Sequence, residues 1–228
     1  MSKRIKTLGV VLGTVLALTA IAAASASAAL PEYVPASGTF PIKFTSTSEK
    51  GTLQTTSGET VTCTSDTNVG ELTGPKSGTV TVTFNGCTTT FFGFPISCKT
   101  AGKASGEIVT NKLNSELVYA VGKTKVLNLL TSPTGTEAEF ECAGNTVKVT
   151  GSVLGQFPTI GQQLHSTSLV LNQSGGKQEF EEYVNSSGTT VPNVFLNSSK
   201  NGGAAVMSAE GTTDTITLEG TRKVEIKG

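Results

Sequence analysis

The chain has 228 residues, with 17 Lys and Arg against 17 Asp and Glu, one His, four Cys and no Trp. That balance offers no electrostatic match to nucleic acid or to an anionic membrane surface, so neither is expected as a partner. A single histidine, His165, excludes a multi-histidine metal site, and two aspartates, Asp66 and Asp214, are too few for a repeated-Asp calcium loop. No Gly-rich phosphate loop and no dinucleotide fingerprint occurs, and no cofactor or metal is expected.

The first stretch reads as a leader. Lys3, Arg4 and Lys6 precede an uncharged apolar run from Leu8 to Ala24, and Ala26-Ser27-Ala28 offers small residues for signal peptidase. Residues 1–28 are therefore expected to be a signal peptide and residues 29–228 a single domain exported to the extracellular space. Loss of the leader leaves 14 basic against 17 acidic groups. Retained, the same run would approach the roughly 20 apolar residues that span a bilayer. Once it is cut, no membrane span is expected.

Thr occurs 37 times and Gly 26 times, and apolar residues mostly alternate with polar ones. Threonine and valine suit a half-buried pleated surface, and turn signals recur every 8 to 12 residues or so. The expected fold is all-β: an antiparallel β-sandwich or barrel-like sandwich of about a dozen short strands. Leu113 to Val121 has some helical spacing, yet Val118, Tyr119 and Gly122 favour a strand.

Residues paired across an antiparallel ladder share a face, so hairpins can be tested by parity. Asn85-Gly86 is predicted to join residues 79–84 to 87–92, with Phe84 opposite Cys87. Gly144-Asn145 is predicted to set Cys142 opposite Val147 and Phe140 opposite Val149. Gly175-Gly176 would place Leu171 opposite Phe180. A three-residue loop at Gly220-Thr221-Arg222 would set Leu218 opposite Val224. Residues 155–163, which hold Pro158 and Gly161, break the pattern and mark a crossover or subdivision, and residues 197–203 read as a loop tip.

Four cysteines in an exported chain predict two disulfides with three possible connectivities. Cys87 and Cys98 enclose a short segment with Gly93 and Pro95 that closes easily. Cys63 and Cys142 both point to the apolar side of their strands and could meet in the core. The expected bridges are thus Cys63–Cys142 and Cys87–Cys98. Zinc is disfavoured because no spacing matches a structural zinc site.

Between two of these cysteines lie Phe91, Phe92, Phe94 and Ile96, a candidate binding loop. A stapled apolar loop presents a preorganised contact surface. Burial is the commoner fate of such residues, with Phe91 beside Phe84 and Phe94 and Ile96 capping one end of the sandwich. Nothing local assembles a catalytic site. His165 with Asp214 lacks a nucleophile elbow, and Glu179, Glu181 and Glu182 near Tyr183 read as a solvated strand face. Carbohydrate binding without Trp would fall to Tyr33, Tyr119 and Tyr183.

Gly58-Glu59-Thr60-Val61-Thr62-Cys63-Thr64-Ser65-Asp66-Thr67-Asn68, Gly70-Glu71-Leu72-Thr73-Gly74-Pro75-Lys76, Gly106-Glu107-Ile108-Val109-Thr110-Asn111, Gly151-Ser152-Val153-Leu154-Gly155 and Gln173-Ser174-Gly175-Gly176-Lys177-Gln178-Glu179 follow one another along the chain. Together they resemble a group of secreted all-β proteins of high-GC Gram-positive (actinobacterial) soil bacteria. The similarity covers most of the chain after the leader. That group has no assigned activity, so the resemblance implies export, a cysteine framework and an all-β fold, and carries over no site residue. The Phe-rich segment between Cys87 and Cys98 is where members would differ.

The function expected from sequence is that of a non-enzymatic extracellular binding or structural protein of the cell exterior. Its partner would be cell-wall material, extracellular polysaccharide or another protein. The rivals are a secreted glycoside or ester hydrolase and a protease inhibitor that inserts the Cys87–Cys98 loop.

Overall fold

A computed structural model describes residues 30–228; the leader and its cleavage point lie outside the described residues. The described chain is all-β, as its composition predicts, with 21 strand segments and antiparallel pairing throughout. Three strands are long: Val126–Cys142, Asn145–Phe157 and Val206–Leu218.

These three strands run through two closed barrels. In the first, Ile42–Ser48 pairs with Ser65–Leu72, which pairs with Ser77–Asn85, then Leu113–Tyr119, then residues 126–131. Residues 152–157, Ser166–Leu171 and residues 212–218 follow, and the last returns to Ile42–Ser48. In the second, Gly51–Thr55 pairs with Thr60–Cys63, then Thr88–Phe91, then Phe94–Lys99, then residues 141–142 of the first long strand. Residues 145–151, Leu196–Lys200 and residues 206–211 close that ring onto Gly51–Thr55. Closure satisfies both edges of each shared strand.

The barrels meet where the long strands are irregular. The pairing of Val126–Cys142 slips between Thr131 and Ala138. Opposite it, Gly151 has φ 104°, and a Cβ there would stand 2.2 Å from the Phe195 carbonyl oxygen. No other residue fits that approach.

Inward residues of both barrels form one core that includes Ile42, Leu117, Val126, Phe140 and Val153. A three-stranded sheet of Glu32–Pro35, Val224–Lys227 and Gln163–Leu164 adds Tyr33, Val224 and Ile226 to it. On the outside, Val118, Leu127, Leu129 and Leu154 pack with Val194, Phe180, Tyr183 and Val191. Both faces of residues 126–130 are therefore buried, which explains their nearly continuous apolar run.

Several sequence expectations are corrected here. Asn85-Gly86 does not turn a hairpin: Cys87 N–H donates to the Gly106 carbonyl, and Thr88–Phe91 pairs instead with Thr60–Cys63. The hairpin lies one strand further on, turning at Phe92-Gly93. The predicted pair of Gly144-Asn145 turns one residue earlier, at Ala143-Gly144, with Phe140 opposite Val147. That shift of two in register leaves every side chain on its predicted face. Gly175-Gly176 turns as expected, but the ladder is only Gln173–Ser174 with Lys177–Gln178, because Ser166–Leu171 pairs with Val206–Leu218. The Gly220 hairpin is absent, since Val224–Lys227 leaves for the three-stranded sheet. The strand Asn145–Phe157 runs through the start of the expected break at 155–163, and the strand Leu196–Lys200 runs into the expected loop tip, which is confined to residues 201–203.

The disulfides are Cys63–Cys87 and Cys98–Cys142, which corrects the expected pairing. The missing hairpin at Asn85-Gly86 is the cause. With Thr88–Phe91 beside Thr60–Cys63, the four cysteines form a row across neighbouring strands: Cys63, Cys87, Cys98, Cys142. Cys98 N–H donates to the Cys87 carbonyl at 2.9 Å, while each sulfur bonds to the strand on the far side. Sequence separations of 24 and 44 correspond to about 3 to 4 kcal/mol of chain-entropy stabilisation for each bridge. Non-reducing peptide mapping should recover these two linked pairs. Replacing Cys98 and Cys142 by Ala should lower unfolding stability by about 4 kcal/mol in denaturant titration.

Candidate functional site

Two features stand apart from ordinary β packing, one on the surface and one inside. On the surface, the hairpin of Thr88–Phe91 and Phe94–Lys99 carries Phe91, Phe92, Phe94 and Ile96, which are 48, 86, 69 and 37% exposed. The expectation that they are buried is thus overturned. Pairing to the neighbouring strands stops at Thr89 on one side and Cys98 on the other, so residues 90–95 pair only with each other and the tip projects beyond the ring. Pairing of Phe91 with Phe94 and of Thr89 with Ile96 puts those four on one face of the ribbon. The rings of Phe91 and Phe92 meet edge to face, with centroids 4.4 Å apart.

The turn itself is strained. Phe92 and Gly93 have φ 49° and 83°, the left-handed pair that a two-residue hairpin needs and that Asn-Gly supplies at least cost. A phenylalanine held there costs roughly 1 to 2 kcal/mol. Both disulfides anchor the base of this ribbon, Cys87 before its first strand and Cys98 in its second.

Inside, the chain's only two aspartates come together. Ser48 is in register with Asp66 on one side and Asp214 on the other, and Ser46 is likewise in register with Asn68 and Ile216. Paired residues share a face, so Asp66, Asn68, Ser46 and Asp214 all point inward, and all four are buried. The Asn68 amide donates to Asp214 Oδ1 at 2.7 Å, to Asp66 Oδ1 at 2.9 Å and to Ser46 Oγ at 2.7 Å. Ser48 Oγ donates to Asp66 Oδ2. Asn68 Oδ1 and Thr212 Oγ1 are buried and have no hydrogen-bond partner.

Two more carboxyls belong to this interior. Glu210 lies four residues before Asp214 on the same strand, and Glu137 sits in the irregular stretch where the barrels join, accepting the Ser132 N–H at 2.8 Å. Burial pushes Glu137 up to about 7, opposed by that hydrogen bond. Burial also pushes Glu210 up to about 8, helped by the charges of Asp66 and Glu137. Asp214 is held well above the usual carboxylate range, first by burial, then by the charge of Asp66 and the hydrogen bond between them, with Asn68 pulling the other way.

Glu137, Asn68, Glu210 and Asp214 line a cavity of about 110 Å³ whose remaining wall is mostly apolar, including Phe44, Val82, Phe84 and Leu130. A wider opening of about 590 Å³ lies in the second barrel, bordered by Thr89, Phe91, Glu59 and Lys200. Leu53 and Val61, paired across neighbouring strands, line both, so the two spaces adjoin at that pair.

The other sequence candidates do not assemble. His165 Nδ1 lies 3.0 Å from the Arg222 carbonyl oxygen, whereas Asp214 is engaged with Asn68. Glu179 pairs with Lys125 at 3.4 Å and accepts from Asn172, and Glu182 is exposed. Tyr33 is buried and Tyr119 packs on the main core, whereas Tyr183 packs on the outer cluster, so the three rings offer no shared platform. Among the described residues, no group of three or more His, Cys, Asp or Glu could hold a metal ion, and no helix is long and apolar enough to cross a membrane.

Comparison with known proteins yields no match to a family model, a curated protein or a solved structure.

The interior carboxyls set a pH dependence. Unfolded Glu and Asp lose their protons near pH 4, whereas folded Glu137 and Glu210 keep theirs to about 7 and about 8. The native state then binds more protons than the unfolded chain across that window, so stability falls as pH rises through it. Thermal unfolding should show a higher Tm near pH 5 than above pH 8. Glu210→Gln, which keeps shape and removes the titration, should flatten the difference. An unchanged pH slope in that variant would refute the assignment.

Proposed function

We propose that this is an exported, non-enzymatic binding protein of the cell exterior that engages its partner through the Phe91 to Ile96 hairpin tip. The observation that carries this reading is Phe92. Folding gains little beyond the edge contact with Phe91 from a ring 86% exposed on a left-handed backbone, and strain kept at a surface position is a mark of use.

Other features support the same reading. Three phenylalanines and an isoleucine in one small projection form the kind of apolar patch that marks an interaction site. Two disulfides fit an oxidising setting outside the cytoplasm and hold the ribbon in its binding geometry before contact. Export rests on the leader and on the resemblance to secreted actinobacterial proteins. Flat aromatic faces suit sugar rings and apolar protein pockets alike, and insoluble wall and exopolysaccharide material is the partner class to test first.

Purified, oxidised protein should pellet saturably with such material. A variant carrying Phe91→Ser, Phe92→Ser and Phe94→Ser should stay in the supernatant with its circular dichroism unchanged. Parent protein that never pellets would sink the wall-binding reading and leave soluble partners. Phe92→Asn separates binding from folding: it should hold or raise Tm while weakening pelleting, whereas a residue kept for stability would lower Tm.

A further inference from the structure

We propose that the barrel interior is a second, independent binding site, for a small organic cation: a primary ammonium on a short apolar chain. Its ammonium would sit at Asn68 Oδ1, Asp214 and Glu210, and its apolar part along Phe44, Val82 and Leu130.

The chemistry follows from what the wall offers. Every charged side chain lining the cavity is acidic, with no Lys, Arg or His among the lining residues. The Asn68 amide spends its donors on Asp66, Asp214 and Ser46, which leaves Oδ1 as a buried acceptor without a partner in a residue 4% exposed. An unmet buried acceptor calls for a donor, and a cation beside it favours the ionised form of carboxyls that burial alone keeps protonated. An ammonium supplies both, with three N–H groups in one compact head. Two other polar groups of the wall already have partners: Ser115 Oγ donates to Asn128 Oδ1 at 2.7 Å, and Glu137 accepts from Ser132.

Size and access fit the same ligand. The cavity of about 110 Å³ is somewhat smaller than the roughly 150 Å³ that holds a benzene ring, so a chain of about four carbons is the match. The opening of the second barrel adjoins the cavity at Leu53 and Val61 and is the side from which the ligand would enter.

The test uses the oxidised full chain with n-butylammonium and its neutral counterpart n-butanol at the same concentrations, at pH 8. Butylammonium should raise Tm and give saturable heat in calorimetry, and butanol should do neither. Glu210→Gln should bind butylammonium about tenfold or more weakly, the loss of one hydrogen bond to a charged group. Equal responses to amine and alcohol would overturn the proposal, as would no saturable response to either. Undiminished affinity in a folded Glu210→Gln would overturn it too. A variant carrying only Phe92→Ser and Phe94→Ser, which line neither the cavity nor the opening, should bind butylammonium like the parent, so failure at the hairpin and failure in the interior are read separately.

Discussion

Strands Val126–Cys142, Asn145–Phe157 and Val206–Leu218 each serve two barrels, so their inward side chains are fixed by two sets of hydrogen-bonded neighbours. This shared frame is the constraint on which the rest of the molecule depends. It requires irregularities at one level, met by the register slip after Thr131 and by Gly151. It also brings Glu137 and Glu210 to the junction and aligns Asp214 with Asp66 across Ser48. Polar groups that would be orphans in a simple sandwich face one another here, because closure curls their strands around a common axis.

The fold class was legible because alternation with abundant Thr and Val leaves little room for helices. Local turns were legible only where glycine joins two segments that pair directly with each other. Ala143-Gly144 and Gly175-Gly176 turn within a residue of expectation, since the faces they join have unambiguous parity. Asn85-Gly86 failed for a physical reason: strand pairing is decided by which edges are open, and Ser77–Asn85 already has Ser65–Leu72 on one side and other partners on the second. A dipeptide cannot report that. The cysteine pairing failed with it, as the row of four depends on which strand Thr88–Phe91 joins.

The interior carboxyls were half legible. In Val206–Leu218, Ile216 and Leu218 set an inward phase that Asp214, Thr212 and Glu210 share, while Thr213, Thr215 and Thr217 alternate away from it. In Ser65–Leu72 the phase misleads: Val69 is the obvious apolar residue, yet it is 63% exposed while Asp66 and Asn68 are buried. Apolar periodicity cannot reveal a strand whose inward face is polar. The hairpin tip was recognised as unusual, but burial was the better expectation for so many aromatics in a chain without Trp, and they are exposed because the flanking ladders stop at Thr89 and Cys98, short of the tip.

Sharing strands has one more consequence. A protein with two separate barrels could lose one and keep the other, as tandem domains do when one unfolds first. Here each barrel owns only part of its wall and borrows the remainder from strands that complete its neighbour. Opening either ring strips the edges of both, so the two should melt in one cooperative event. A chain truncated before Val206, which loses a strand common to both rings, would keep no folded half.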